Sequence, residues 1–207
     1  WAYGTPPEGN ANYGWMQHML HHTSPNGVVG LVLANGSLST ASGGEAEIRK
    51  NIIKADLLEA IIALPEKLFS NTGIPACIWI LSKNKTQKGK TLFINAKEVG
   101  HMLDRKQKAF SDEDVQSLVD TFHSWQSGSG YEDITGQCYS ATMGNMAKND
   151  YILTPGLYVG VAEEDDDGVP FASKMNTLTT TLREQFEESA RFEERIKKNL
   201  TGLGYEI

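Results

Sequence analysis

The sequence lacks most of the features that assign a chain to a special class of protein. Its 207 residues include only two cysteines, Cys77 and Cys138, without metal-ligand spacing, so neither a disulfide framework nor a cysteine-based zinc site is expected. No apolar run approaches the roughly 18 residues that span a bilayer, and no charged and apolar leader precedes the first residue, Trp1. We therefore expect a reduced, soluble, cytoplasmic protein with no membrane partner, and the absence of Met at position 1 indicates a piece of a longer chain.

The common catalytic fingerprints are also missing. There is no GxSxG nucleophile turn, no GxxxxGK[ST] phosphate loop and no GxGxxG dinucleotide loop. His18 and His22 have the i, i+4 spacing of a zinc pair, but no Glu follows His18 as the HExxH pattern requires. Gly43 and Gly44 before a predicted helix are consistent with an anion site or with a simple helix start. The sequence thus predicts no metal and no hydrolase centre.

The charge is unevenly distributed. The net charge is −7, yet residues 48–108 contain 12 Lys/Arg against 5 Asp/Glu, whereas the remainder contains 7 against 21. A basic central segment is compatible with phosphate binding, but solvated lysines on exposed loops explain Lys83, Lys85, Lys88 and Lys90 equally well. Charge alone identifies no partner.

Hydrophobic periodicity divides the first part of the chain into helices and strands. Continuous branched apolar runs predict strands buried on both faces, and runs spaced by three or four predict helices. The order of helix, strand, helix and strand predicts an α/β fold with a parallel sheet. The predicted helices are 12–22 and 45–55, and the predicted strands are 28–33, 57–64, 75–81 and 91–96.

The pattern changes after residue 110, where we expect the sheet to be complete. Ser111 and Asp114 have the spacing of a helix capping box and start a helix predicted to end near Trp125. A short helix is predicted at 142–149, and five acidic residues, 163–167, form a spacer. A long charged helix then runs to about Leu200 with a narrow apolar stripe, which either packs on its own domain or docks on a partner helix. The predicted regions are 1–110, 111–162, 163–170 and 171–207.

The most informative stretch lies between the strands around Ile61 and Ile78. The loop joining them places Phe69 beside Ser70, Asn71, Thr72 and Gly73. A large ring in a polar loop is either a core plug under its own loop or a stacking surface for a ligand, and both interpretations stay open from sequence alone.

Several blocks of the chain, taken in order, resemble the methylation subunit of type I restriction-modification systems. The resemblance covers roughly residues 1–160 and includes NANYGWMQHML, PNGVVGLVLANGSLS, GEAEIRKNII, ALPEKLFSNTGIPACIWILSKNK, LFINAKEVG, residues 118–125 and YILTPGLYVG. It implies the second half of a Rossmann-like, S-adenosylmethionine-dependent methyltransferase sheet, followed by a helical C-terminal extension. The implied activity is methyl transfer from S-adenosylmethionine to adenine N6 in DNA.

The resemblance also implies what this chain does not carry. The glycine-rich cofactor loop and the Asn-Pro-Pro-Phe turn of the family are expected upstream of Trp1, so the fragment is expected to be inactive alone. Thr5-Pro6-Pro7-Glu8 is not that turn, because it offers neither an amide or carboxylate acceptor nor an aromatic ring. We interpret it as a proline-rich loop.

On the same resemblance Phe69 falls where related enzymes place an aromatic ring against the flipped adenine, with Asn71 and Thr72 able to contact the base edge or the adjacent backbone. The implied partners are DNA, a DNA-specificity subunit, a restriction subunit and a second methylation subunit. The alternative is a non-catalytic α/β interaction module that docks a partner through its C-terminal helix.

Overall fold

The computed structural model describes residues 1–161 and 170–205. The chain divides into two units, Trp1–Ala162 and Glu163–Ile207. The predicted acidic spacer at 163–167 lies outside the described residues.

The first unit contains five of the described helices and all of the described strands. The helices are α1 (Asn12–His22), α2 (Glu45–Lys54), α3 (Asp112–Ser127), α4 (Met143–Lys148) and α5 (Gly156–Val159), with 3-10 turns at Asn35–Leu38 and Ser42–Gly44. The strands are β1 (Val28–Ala34), β2 (Leu58–Ala63), β3 (Ala76–Ser82), β4 (Lys90–Asn95), β5 (His101–Met102), β6 (Lys108–Ala109) and β7 (Cys138–Thr142). The elements predicted before residue 100 are confirmed to within one residue at each end.

The main sheet has the order β1-β3-β2-β4-β7, and the prediction of a parallel sheet is wrong in its pairings. β3 is antiparallel to both β1 and β2, β7 is antiparallel to β4, and only β2 and β4 pair in parallel. The helical crossover through α2 does leave β1 and β2 pointing the same way, as the strand-helix-strand order predicts. The connection from β2 to β3 contains no helix, however, so β3 returns antiparallel and inserts between them.

β1 lies at an edge of the sheet, which corrects the prediction that it is buried on both faces. It pairs with β3 from Val28 opposite Ser82 to Ala34 opposite Ala76. Val28 is 58% and Val32 51% exposed, while Val29 is buried, so exposure alternates along the strand. No strand of the described part of the chain pairs with its other edge.

Hydrophobic clusters lie on both faces of the sheet. One joins Tyr13 and Met16 of α1 and Ile52 of α2 to strand residues such as Trp79. The other joins Ala60, Ile62, Leu92 and Ile94 to Trp125 of α3. Because successive strand side chains point to opposite faces, Ile61 belongs to the first cluster and Ile62 to the second. The result is a sheet covered by helices on both sides.

The region after residue 110 confirms one prediction and corrects another. Ser111 and Asp114 form the predicted capping box, since Ser111 Oγ accepts the Asp114 N–H at 3.1 Å and Asp114 accepts the Ser111 N–H at 2.8 Å. The expectation that the sheet ends before this helix is wrong, because β7 adds a further strand beside β4. The segment CYSAT has too few branched apolar residues to stand out as a strand.

The second unit consists of one described helix, α6 (Phe171–Gly202). The predicted apolar stripe is present on it, and each of its members is at least 41% exposed: Met175, Leu178, Leu182, Phe186, Phe192 and Ile196.

Candidate functional site

Three strands that point the same way end at one edge of the sheet. Ala34 of β1 lies opposite Ala76 of β3, Ala63 of β2 lies opposite Cys77 of β3, and Ala63 also pairs with Asn95 of β4. The loops that follow β1, β2 and β4 therefore start side by side. In open α/β sheets ligands bind beyond the carboxyl ends of such strands, which makes this edge the candidate site.

The loop between β2 and β3, residues 64–75, is called the target loop from here on. It starts on a backbone hydrogen bond from Leu64 N to Ala76 O at 2.9 Å and turns at Lys67, whose φ is +61°. A bridge pairs Phe69 with Thr72, and Thr72 N donates to Phe69 O at 3.4 Å. Ser70 and Asn71 thus form a tight two-residue tip, and every residue from 69 to 74 is exposed.

Two adjacent side chains of the target loop have opposite environments. Leu68 is half-buried against the second hydrophobic cluster, which contains Ile62 of β2 and Trp125 of α3. Phe69 is 38% exposed and belongs to neither hydrophobic cluster of the described residues. The loop is therefore anchored in the core by Leu68, and the ring of Phe69 is left at the surface.

The two polar candidates lie at the same tip. Asn71 is exposed, and no hydrogen bond of its side chain is present among the described residues. Thr72 Oγ1 accepts the N–H of Ile74 at 3.2 Å, which leaves the hydroxyl hydrogen free to donate. The structure thus brings Phe69, Asn71 and Thr72 together on one exposed turn.

The sequence does not predict the environments of two further residues at this edge. Ile74 is 63% exposed beside the same turn, although large apolar side chains are usually buried. Asn35, directly after β1, has a solvent-shielded Oδ1 without a hydrogen-bond partner in the described structure. The only sequence signal for Asn35 is its place in Ala-Asn-Gly at a strand end, which is equally typical of an ordinary turn.

The turn after β1 is held by buried hydrogen bonds. Tyr13 OH donates to Ser37 O at 2.7 Å, and Trp79 Nε1 donates to Ser37 Oγ at 3.1 Å. Burial raises the pKa of Tyr13 to about 12, so the phenol stays protonated and able to donate. The backbone at the end of β1 is thereby fixed from α1 and from β3.

Arg49 extends this hydrogen-bonded region to a distant part of the chain. It is 1% exposed, its Nε donates to Tyr151 O at 2.8 Å, and its Nη1 donates to Thr40 O at 2.7 Å. Thr40 Oγ1 in turn donates to Glu45 Oε2 at 2.8 Å. The guanidinium thus joins α2, the loop after β1 and residue 151, whose φ is +55°.

The histidine pair of α1 and the glycine pair before α2 have local structural contacts. The rings of His18 and His22 contact each other at 4.3 Å between centroids, and no group of three or more possible metal ligands occurs in 1–161 or 170–205. Gly43, with φ of +57°, lies against Pro7, where a Cβ would come within 2.5 Å of the proline Cβ. None of the helices in the described ranges has the length and apolarity to cross a membrane.

The glycine pair before α2 offers no open cradle for S-adenosylmethionine. The paired glycines 43 and 44 have left-handed backbones, and Gly43 is closed off by Pro7. What the edge presents is an aromatic ring with polar neighbours, which suits a flat, hydrogen-bonding ligand.

The family profile described as N-6 DNA Methylase matches residues 1–167 of the chain. The chain belongs to the N-6 DNA methylase family. The resemblance seen in the sequence and the α/β methyltransferase fold that it implied are confirmed.

Two methylase subunits of type I restriction enzymes resemble the chain over nearly all of its length. The HindI methylase subunit of a type I restriction enzyme from Haemophilus influenzae is 57% identical over 206 residues, covering 100% of this chain and 46% of that protein. The MjaIX methylase subunit of Methanocaldococcus jannaschii is 44% identical, covering 97% of this chain and 36% of that protein. The chain thus spans about half the length, or less, of these relatives.

A solved methyltransferase subunit shares the fold. The type I restriction-modification methyltransferase subunit from Streptococcus thermophilus superposes with a TM-score of 0.69 at 28% identity, covering 77% of this chain and 32% of that one.

Proposed function

We propose that this chain is the target-base half of a type I restriction enzyme methylase subunit, which transfers a methyl group from S-adenosylmethionine to adenine N6 in DNA. The observation that carries the proposal is Phe69, a half-exposed ring at the carboxyl edge of the sheet in a chain of the N-6 DNA methylase family. The fragment by itself is then inactive, because it supplies only one side of the reaction.

Phe69 serves as the stacking surface for the flipped adenine. Unstacking a base from duplex DNA costs an enzyme about a few kcal/mol of free energy, and stacking on an aromatic side chain offsets about 1–3 kcal/mol of that cost. Leu68 anchors the loop so that the ring does not have to leave the core to meet the base. Asn71 and the free hydroxyl hydrogen of Thr72 are then placed to contact the base edge or the neighbouring sugar-phosphate.

Binding of the methyl donor is assigned to the part of such a subunit that this chain does not span. The chain covers 46% of the Haemophilus influenzae relative, and in its glycine pair, 43 and 44, Gly43 lies against Pro7. The edge of β1 with which no described strand pairs supports this division, since its hydrogen-bonding groups and the exposed Val28 and Val32 can extend the sheet with a further strand. Two parts of one sheet would then enclose donor and base.

The partners we propose are DNA, a DNA-specificity subunit, a restriction subunit and a second methylase subunit. The exposed apolar stripe of α6 is suited to helix packing and is the element we assign to assembly. The alternative function, a non-catalytic interaction module, rests on the same stripe and assigns no role to Phe69.

Substitution of Phe69 separates the two functions. In the native gene product, purified with the subunits that accompany it, Phe69→Ala should lower kcat/KM for adenine methylation by about 5- to 150-fold, the range that corresponds to losing 1–3 kcal/mol of stacking. Phe69→Tyr keeps the ring and should retain most activity. Transfer of labelled methyl groups to unmethylated DNA measures the rates, and mass spectrometry identifies N6-methyladenine.

Ile74→Ala is the matched control, because Ile74 is an exposed apolar residue of the same loop without an aromatic ring. It should leave the rate within about twofold. Unchanged methylation in both Phe69→Ala and Phe69→Leu would eliminate the stacking role, and absence of adenine methylation in the wild-type preparation would favour the interaction module.

A further inference from the structure

The segment that follows β4 forms a small hairpin with a well-defined tip. Residues 97–110, called the basic hairpin from here on, place β5 against β6 with His101 opposite Ala109 and Met102 opposite Lys108. Asp104 Oδ1 accepts the N–H groups of Lys106 at 2.6 Å and Gln107 at 2.8 Å, and Leu103 N donates to Gln107 O at 2.9 Å. The tip is therefore an ordered turn.

The basic hairpin is joined directly to the target loop. Lys108 N donates to Lys67 O at 2.9 Å, and Lys67 stands two residues before Phe69. The left-handed backbone of Lys67 belongs to the turn that supplies this carbonyl. Val99 and Phe110, at the two ends of the hairpin, pack on the same cluster as Leu68. Hairpin and target loop thus share both a hydrogen bond and a hydrophobic base.

The charges of the basic hairpin point into solvent. It contains four Lys/Arg and two acidic residues, in a chain whose net charge is −7. Lys97, Arg105 and Lys106 are exposed, and no ion pair links them to any residue of the described ranges. Among the described residues, the one hydrogen bond that Lys108 Nζ donates goes to the Lys97 carbonyl, at 3.4 Å.

The acidic groups near the hairpin leave a positive excess. Asp104 is engaged by the backbone N–H groups of its own turn, Glu98 is exposed, and Glu66 lies 4.0 Å from Lys67. A protein binds a polyanion through cationic side chains that are not already paired. Such cations lie here on an ordered turn beside Phe69, the candidate base-binding ring.

We propose that the basic hairpin binds the sugar-phosphate backbone of the DNA strand that carries the target base, with Arg105, Lys106 and Lys108 contacting phosphates. The inference deepens the proposed function and rests on it. Phosphate contacts fix the position of DNA without reading sequence, so this hairpin would hold the strand in register while the target loop receives the extruded base.

The test compares two triple variants of the native gene product, each purified with its accompanying subunits. The first carries Arg105→Gln, Lys106→Gln and Lys108→Gln. The control carries Lys54→Gln, Lys88→Gln and Lys90→Gln, which removes the same charge from exposed residues. These residues lie near the amino ends of β2 and β4, whereas the target loop and the basic hairpin follow the carboxyl ends of these strands. Binding to a fluorescein-labelled duplex is measured by anisotropy across a salt series, and urea unfolding verifies that both variants are folded.

Each phosphate contact contributes about 0.9 to the slope of log affinity against log salt on B-DNA. The hairpin variant should therefore lower the slope by about 2 to 3 and weaken binding by about 10- to 100-fold near physiological salt, while the control changes the slope by less than about 0.5. Equal losses in both variants, or no loss in the hairpin variant, would overturn the proposal.

Two further readouts separate this inference from others. If the hairpin variant loses an accompanying subunit while the DNA salt slope is unchanged, the surface binds protein and the phosphate proposal is wrong. Adenine methylation is assayed in the same wild-type preparation, where its absence defeats the proposed function, whereas the binding comparison still decides the role of the hairpin.

Discussion

The two loops at the opposite ends of β3 contain many polar residues and use them in opposite ways. In the loop after β3, residues 83–89, Lys85 is buried and forms an ion pair of 2.6 Å with Asp56, which also accepts the N–H of Gly89. In the target loop before β3, the hydrogen bonds of the exposed tip to other described residues are all local. Polar groups satisfied inside the protein hold the fold, and polar groups left free are available to a ligand.

The interpretation of the four lysines after β3 as solvated is wrong for one of them. Lys83, Lys88 and Lys90 are exposed, but the side chain of Lys85 is 1% exposed. Burial lowers the pKa of Lys85 below its ordinary value, and the hydrogen bond and charge of Asp56 oppose that shift. Lys85 therefore belongs to the structure of the loop and not to a phosphate-binding surface.

The largest effect is expected from breaking the buried pair. Asp56→Asn keeps a residue that tolerates the left-handed φ of +56°, but leaves the Lys85 ammonium without its counter-charge. We expect a loss of about 2–3 kcal/mol in the free energy of unfolding. Urea unfolding followed through the fluorescence of the buried Trp79 and Trp125 measures it.

Two further variants test whether the loss of stability comes from the buried ion pair. Glu47→Gln, in an exposed ion pair with Lys50 at 3.1 Å, should cost less than about 0.5 kcal/mol. Adding Lys85→Met to Asp56→Asn should recover part of the loss, because an apolar chain of similar length needs no counter-charge. A loss for Asp56→Asn no larger than that for Glu47→Gln would show that the pair is not structural.

Much of the fold could be predicted from sequence because its signals are local. Each signal involves residues only a few positions apart in the chain. The signals are the 3.6-residue periodicity of α1 and α2, the apolar runs of β2 and β3, and the capping box between Ser111 and Asp114. The order of strands depends on pairing between distant segments. For that reason the insertion of β3 between β1 and β2 and the addition of β7 were missed.

The candidate site also has one part that the sequence predicts and one part that it does not. Phe69, Asn71 and Thr72 lie on one short turn and could be grouped from sequence, whereas the contact of the basic hairpin with Lys67 joins residues 41 positions apart. The different environments of Leu68 and Phe69 could not be predicted either, because both are large apolar residues in one loop. Which of the two turns inward is decided by the cluster beneath the loop.

A smaller effect is expected within the target loop itself. Leu68→Ala should lower the free energy of unfolding by about 1–2 kcal/mol, since a half-buried leucine loses part of a full core contact. Phe69→Ala should lower it by less than about 0.5 kcal/mol, because the ring belongs to neither hydrophobic cluster of the described residues. The same urea experiment measures both, and a larger loss for Phe69→Ala would restore its interpretation as a core plug.

The smallest effect concerns two single lysines, Lys88 in the loop after β3 and Lys106 on the basic hairpin. Lys88 is exposed but its charge repels that of the buried Lys85, so Lys88→Gln should raise the free energy of unfolding by a few tenths of a kcal/mol. Lys106→Gln, on the basic hairpin and without an ion pair in the described structure, should leave stability unchanged. Added salt screens exposed charges, so the gain from Lys88→Gln should shrink between low and high ionic strength while Lys106→Gln stays neutral at both. If Lys106→Gln proved the more destabilising substitution, its charge would already be satisfied within the fold, and the distinction between structural lysines after β3 and free cations beside the target loop would fail.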